Sequence, residues 1–260
     1  MGSPTALVGY TGFVGSNLES QLHFDEKFNS RNSQEMSGRS FSTVYFSAAP
    51  AEKWKANSNP DADSGVVNDL IRLLGSFKAE RLVLLSTIDV YEKPTGVDEG
   101  YEPKDELLHT YGRNRLKLEK AVENLFDNST ILRLPALFGV GLKKNAIFDL
   151  IHNNEIDKIK PNAQFQFYNM ENLATDCEKA MHHSIPLLNI CSRPIRIGQV
   201  AEDIFGISLP DESIENPATY DVRSLYSSFW AGDEYLYSVE SVLGDLEKFV
   251  RNEFRKLSEN

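Results

Sequence analysis

A chain of 260 residues, 41% hydrophobic and 25% charged, has room for one well-buried domain, or a large domain with a small appendage, and its composition is that of an ordinary globular protein. A formal net charge of −11 argues against a nucleic-acid or anionic-membrane surface, while allowing a local basic pocket for a phosphorylated ligand. No apolar run approaches the ~20 residues that cross a bilayer, and Met1-Gly2-Ser3-Pro4-Thr5 lacks the basic-then-apolar pattern of a secretory signal. Cys177 and Cys191 make neither a disulfide framework nor a metal spacing, and the five histidines show no ligand spacing. A reducing cytoplasm and no metal are expected.

In chain order, Thr5-Ala6-Leu7-Val8 predicts a short buried strand, ended by Gly9. Phe13, Val14, Leu18 and Leu22 follow at helical spacing. Phe28-Asn29 is a weak second strand, and Thr43 to Ala49 a stronger third one, stopped by Pro50. A helix is expected from about Val66 to Phe77. Arg81-Leu82-Val83-Leu84-Leu85-Ser86 is the clearest buried strand. The next helix carries Tyr111, Leu118, Val122 and Leu125, and Thr130 to Leu134 forms another strand. Alternating helices and near-continuous apolar strands predict an α/β fold, a Rossmann-type doubly wound parallel sheet covered on both faces. Beyond Pro135 the alternation loosens, although Leu187-Leu188-Asn189-Ile190 is expected to return to the sheet. Residues 1–137, completed by about 170–190, are expected to form the dinucleotide-binding region. Residues 138–169 and 191–260 are expected to form a smaller, interleaved C-terminal lobe for substrate, at the carboxyl edge of the sheet.

Gly9-Tyr10-Thr11-Gly12-Phe13-Val14-Gly15 lies between a strand and a helix, the context in which a glycine motif signals dinucleotide binding. Gly9 permits the tight turn, Gly12 lets a pyrophosphate approach the backbone, and Gly15 lets helix and strand pack closely. Thr11, Phe13 and Val14 complete the loop at the helix N-terminus, where amides and the positive dipole end suit phosphate. The end of the second strand decides between NAD and NADP. Asn29-Ser30-Arg31-Asn32 has no carboxylate there for a ribose diol, and Ser30 and Arg31 suit a 2′-phosphate. NADP is therefore favoured over NAD, unless Asp25 or Glu26 ends that strand.

Taken in order, the glycine loop, Ser86-Thr87-Ile88-Asp89-Val90-Tyr91 and Tyr111-Gly112-Arg113-Asn114-Arg115 resemble the extended short-chain dehydrogenase/reductase superfamily, which includes the sugar-nucleotide epimerases, dehydratases and reductases. The resemblance implies that Thr87 holds the reacting oxygen, with Ser86 as second choice, and that Tyr111 is the general acid/base. Arg115 stands where the family has lysine. Bringing a phenol from pKa ~10 to ~7 requires about 4 kcal/mol, and a fixed cation ~4 Å away gives about that at an effective dielectric near 20. Arg115 can supply this field but cannot relay protons. Lys117 points away from the Tyr111 face of the helix.

Further expectations follow from the same resemblance. Ala48, near the end of the third strand, and Pro135, in Arg133-Leu134-Pro135-Ala136-Leu137-Phe138-Gly139, would line the cofactor. Lys143, Lys144 and Asn145 begin a helix where relatives hold substrate phosphates. Asp89 is the single carboxylate where the dehydratase branch has an Asp-Glu pair, which disfavours dehydration. Phe165 to Ala174 resembles a family stretch but lacks its arginine and aspartate, and Leu188-Asn189-Ile190 with Ile197 to Glu202 matches a later one. The likeness runs from residue 5 to about 206. It implies an NAD(P)-dependent oxidoreductase or epimerase acting on a sugar or nucleotide-sugar, with homodimerisation left open. The alternative is a dinucleotide-binding sensor or interaction protein without turnover, a reading that Arg115 keeps alive because fold does not fix function.

Overall fold

Thr5–Val8 forms β1, an apolar segment whose pairing ends where Gly9 turns the chain at φ +89°. The computed structural model describes residues 2–210 and 217–259; residues 211–216 of the expected substrate lobe, with Met1 and Asn260, lie outside the described residues. After β1 come α1 (Phe13–Gln21), β2 (Glu26–Phe28), β3 (Ser40–Phe46), α2 (Lys53–Ser58), α3 (Pro60–Leu74) and β4 (Lys78–Thr87). Next are β5 (Thr95–Val97), α4 (Thr110–Leu125), β6 (Ser129–Leu134), β7 (Ala136–Phe138), α5 (Ala146–His152), β8 (Gln164–Phe165) and β9 (Phe167–Asn169). The chain finishes with α6 (Leu173–His182), β10 (Leu187–Asn189), β11 (Ile195–Arg196), α7 (Ile197–Phe205), β12 (Asp221–Val222) and α8 (Val239–Glu259). Among the described residues no helix is long and apolar enough to cross a membrane.

Two compact units emerge. The first comprises Met1–Lys93, Tyr101–Leu134 and Glu171–Leu188. Its six-stranded sheet has the order β10-β6-β4-β3-β1-β2, and β2, β1, β3, β4 and β6 run parallel. Flanking helices cover this sheet, α1 packing with α6 and α3 with α4, which gives the α/β Rossmann-type architecture expected. Phe28, Phe41, Phe77 and Phe126 form a chain of ring contacts 5.7–5.9 Å apart through its core. The strand order reverses between β1 and β3. Ligands of doubly wound sheets bind outside the carboxyl strand ends at that switch point.

One boundary differs from expectation for a clear reason. The helix expected from Val66 starts at Pro60, because Asn59 caps it by accepting from the Ala62 amide at 3.3 Å and proline suits the first helical position. Asp61 and Asp63 also favour the positive end of the helix dipole. The apolar stripe begins a turn and a half after the helix does.

The second unit comprises Pro94–Gly100, Pro135–Met170 and Asn189–Asn260. Short pairings β7–β9, β8–β11 and β5–β12 surround a core of Phe138, Ile147, Phe167, Ile197, Val200 and Leu246. Buried Gln166 ties it together, donating to the carbonyls of Ser192 and Val222 and accepting from the Val222 amide at 2.8 Å. Glu99 plays the same part for Pro94–Gly100, accepting from the Asn189 and Leu225 amides at 2.8 Å each and from Ser224 Oγ at 2.7 Å.

Candidate active site

The glycine loop joins β1 to α1 at the switch point. Its three glycines answer different demands. A Cβ on Gly9 would lie 2.6 Å from the Ser47 carbonyl oxygen and 2.9 Å from Ala48 Cα, and one on Gly15 only 2.2 Å from the Gly9 carbonyl oxygen. Both are required by packing, and Ala48 is thereby placed beside the loop. Gly12 is otherwise: it caps α1 with an ordinary φ of −81°, it is exposed, and its nearest neighbour would be the Gly9 oxygen at 3.4 Å. The protein itself does not require glycine there. A side chain there would instead lie in the path of any group approaching the first-turn amides of Phe13, Val14 and Gly15. These residues fit the pyrophosphate of a dinucleotide.

At the end of β2, Asn29 receives the Arg31 amide on its side-chain oxygen at 2.9 Å and donates to Tyr10 Oη at 3.1 Å. Ser30 and Arg31 are exposed. The alternative acids are not at this end. Asp25 accepts from the Thr5 amide and hydroxyl at 2.7 and 2.9 Å, and Glu26 opens β2 and pairs with Arg39. Both sit at the amino ends of parallel strands, on the edge opposite the glycine loop.

β4 runs parallel to β1 and β3, so its last residue, Thr87, reaches the same sheet edge as Gly9. Thr87 Oγ1 accepts from the Asp89 amide at 3.1 Å, starting a 3-10 turn. α4 sits directly on that turn: a Cβ on Gly112 would be 2.2 Å from the Asp89 carbonyl oxygen. His109 starts α4, its Nδ1 accepting from the Gly112 amide at 3.0 Å, while the Tyr111 amide donates to Asn57 Oδ1 at 3.0 Å. Held this way, Tyr111 is buried and its hydroxyl hydrogen-bonds with Thr87. Ser86, the second choice, donates instead to Glu119, which pairs with Arg133 at 2.6 Å inside the unit. Alternation along β4 turns the two hydroxyls to opposite faces.

Arg115 approaches Tyr111 but is committed elsewhere. Its guanidinium lies 4.3 Å from the phenol ring centroid and forks onto Asp63 at 2.7 and 3.0 Å, with side chains only 3% and 6% exposed, and it also donates to the Pro50 carbonyl. Burial raises Asp63, but hydrogen bonds from Arg115 and Asn114 with the Arg115 charge outweigh it and hold the carboxyl below its ordinary value. Burial also dominates at Tyr111 and pushes the phenol above the usual tyrosine range; Asp89 adds to this, while Arg115, the Thr87 hydrogen bond and Lys53 oppose it. The expected descent of the phenol towards neutrality is therefore not met. A buried cation already paired with a carboxylate is a weak field source, and desolvation wins.

Sequence reasoning missed Lys53, His109 and Asp63 as members of this cluster. Lys53 Nζ lies 2.7 Å from Asp89 Oδ1. No local spacing ties residues 53 and 63 to 111, and Asp63 lies before the helix expected from Val66.

The remaining expected residues belong to the second unit. Pro135 precedes β7, and Lys143 and Lys144 are exposed before α5. Asn145, at φ 135°, caps α5 by accepting from the Ile147 and Phe148 amides at 3.0 and 3.1 Å and donates to the Leu137 carbonyl at 2.8 Å. Its hydrogen-bonding capacity is largely used in shaping that helix start.

No protein-family model matches the chain, and no curated protein matches it in sequence. Solved structures match throughout. The chain is similar to dTDP-4-dehydrorhamnose reductase from Bacillus anthracis str. Ames in complex with NADP, at TM-score 0.74 and 17% identity over 97% of this chain and 99% of that one. It is similar to UDP-glucose 4-epimerase from Thermotoga maritima with UDP-glucose, at TM-score 0.72 and 13% identity over 97% and 99%. For dTDP-4-dehydrorhamnose reductase from Yersinia enterocolitica the values are 0.68 and 16%, over 96% and 99%. The chain shares the fold of these reductases and epimerases.

Proposed function

We propose that the chain is an NADP-dependent reductase of a nucleotide-linked keto-sugar. The observation that carries this reading is the hydrogen-bonded pair Thr87–Tyr111, buried at the sheet edge that also bears the glycine loop. Bound on that loop, a nicotinamide dinucleotide would supply the hydride. The rest falls to the chain's own residues. Thr87 holds the carbonyl oxygen, and Tyr111 gives that oxygen a proton as the carbon is reduced. A phenol kept neutral by burial is loaded as a proton donor and is a poor base, which favours reduction over oxidation. The fold neighbours include reductases of dTDP-linked sugars and epimerases of UDP-linked ones, which supports a nucleotide-sugar as substrate. Reduction is tested by following NADPH absorbance against dTDP- and UDP-linked 4-keto-sugars.

The cofactor half of the reading makes separate predictions. Gly12→Val is expected to abolish NADPH binding in calorimetry while costing Tm little, since its Cβ makes only one close contact within the protein, with the Gly9 carbonyl oxygen at 3.4 Å. Arg31→Ala is expected to weaken NADPH roughly tenfold, the worth of one charge-assisted hydrogen bond, and to leave NADH unchanged. Equal losses for both cofactors would remove Arg31 from the 2′-phosphate. The commitment of Arg115 to Asp63 favours a second reading, a chain that binds the dinucleotide without turning it over. Tight NADPH binding with no reduction across the sugar panel would select it.

A further inference from the structure

Two ion pairs of different character act on Tyr111. Arg115–Asp63 is a buried fork, closed to solvent, with the Pro50 carbonyl as a further partner. Lys53–Asp89 is a 2.7 Å contact between side chains 39% and 18% exposed. Asp89 belongs to the turn that starts at Thr87, and its carbonyl touches the first turn of α4 so closely that only Gly112 fits. Any change in the charge of Asp89 is therefore felt by Tyr111 and by His109. Lys53 opens α2, 36 residues away in sequence, and reaches this turn from a different element.

Resting on the function proposed above, we propose that Lys53 is a positioning residue for proton transfer by Tyr111: paired with Asp89, it masks the carboxylate that faces the phenol and keeps the phenolate accessible. The groups facing Tyr111 are Arg115 on its own helix, Asp63 behind that arginine on α3, Asp89 on the turn, Lys53 on α2 and His109 at the helix start. Arg115 and Asp63 are paired in the interior, away from solvent. Lys53 and Asp89 are adjustable. With Lys53 removed, Asp89 loses this counter-charge and opposes loss of the phenol proton more strongly; with Asp89 removed, Lys53 favours it.

His109 is a built-in reporter. Burial lowers its imidazole below the ordinary value, Lys53 lowers it further and Asp89 raises it. Its protonation is readable by NMR in the free protein, with no turnover required.

The experiment compares wild type, Lys53→Met, Asp89→Asn and the double variant. In the oxidative direction at mildly alkaline pH, where the phenolate is scarce, kcat tracks the ease of losing the phenol proton. Lys53→Met is expected to lower that kcat roughly tenfold, the effect of one neighbouring charge. Asp89→Asn raises it, and the double variant returns it to near wild type, with KM for the cofactor unchanged throughout. The His109 midpoint moves up in Lys53→Met and down in Asp89→Asn. Carbon-13 tyrosine spectra read the Tyr111 phenol directly through the alkaline range, with the same signs. A Lys53→Met variant that folds normally, with the His109 midpoint and the phenol titration both unmoved, overturns the proposal. Lys53→Met and Asp89→Asn variants that shift the two midpoints in the same direction as each other, rather than oppositely, do so too. Failure of the parent reading looks different: Tyr111→Phe then keeps full turnover, while the two titrations still report whether Lys53 and Asp89 control this site.

Discussion

Tyr111→Phe is expected to cut kcat for keto-sugar reduction by roughly 10²–10⁴, the usual worth of a positioned acid/base, with the Kd for NADPH unchanged. The ring loses only its hydroxyl. Its packing under Arg115 and its helix position persist, so the variant removes the proton and the Thr87 hydrogen bond and little else. Thr87→Val is the companion: it removes the partner hydroxyl but leaves the phenol, and is expected to cost less kcat. Calorimetry with NADPH separates loss of chemistry from loss of binding. Turnover that survives Tyr111→Phe at near wild-type rate places the proton donor elsewhere.

Arg115→Met is expected to lower folding stability by about 3–5 kcal/mol, because Asp63 is left buried and uncompensated. The pH dependence carries the mechanism. In the wild-type chain Asp63 is held below its ordinary value of 3.8, so the stability it contributes is present above that value and lost as pH falls through the depressed one. In Arg115→Met the hydrogen bonds and charge of Arg115 are gone, only the Asn114 hydrogen bond still opposes burial, and the carboxyl rises. The deficit should then narrow as the medium is acidified towards and below the raised value, where Asp63 takes up a proton in the folded chain. Arg115→Met with Asp63→Leu, an apolar pair in place of the ionic one, is expected to recover most of the loss. Urea denaturation across the acid-to-neutral range checks both. A deficit that does not depend on pH would mean that Arg115 stabilises through packing alone.

The parallel sheet was legible because β1, β3, β4 and β6 are near-continuous apolar runs, and a strand buried on both faces admits little else. The glycine loop was legible because backbone chemistry leaves a local signature. Arg115 was legible as a residue and illegible as an interaction: its partner Asp63 lies on another helix, 52 residues earlier. Lys53 was hidden for the same reason, and Pro94–Gly100 gave no pattern, since its hold on the second unit comes from the single buried side chain of Glu99 with a three-residue strand. Contacts that depend on which elements meet leave no periodicity to read.

Transfer of deuterium from NADPH labelled at the nicotinamide C4 is the most direct measurement. The chain is incubated with labelled cofactor and dTDP- and UDP-linked 4-keto-sugars, and the sugar products are analysed by mass spectrometry. One deuterium is expected in one reduced sugar, at a rate that falls by at least a hundredfold in Tyr111→Phe. Bound NADPH that delivers no label to any sugar, or label that arrives equally fast in Tyr111→Phe, would contradict a reductase built on Tyr111.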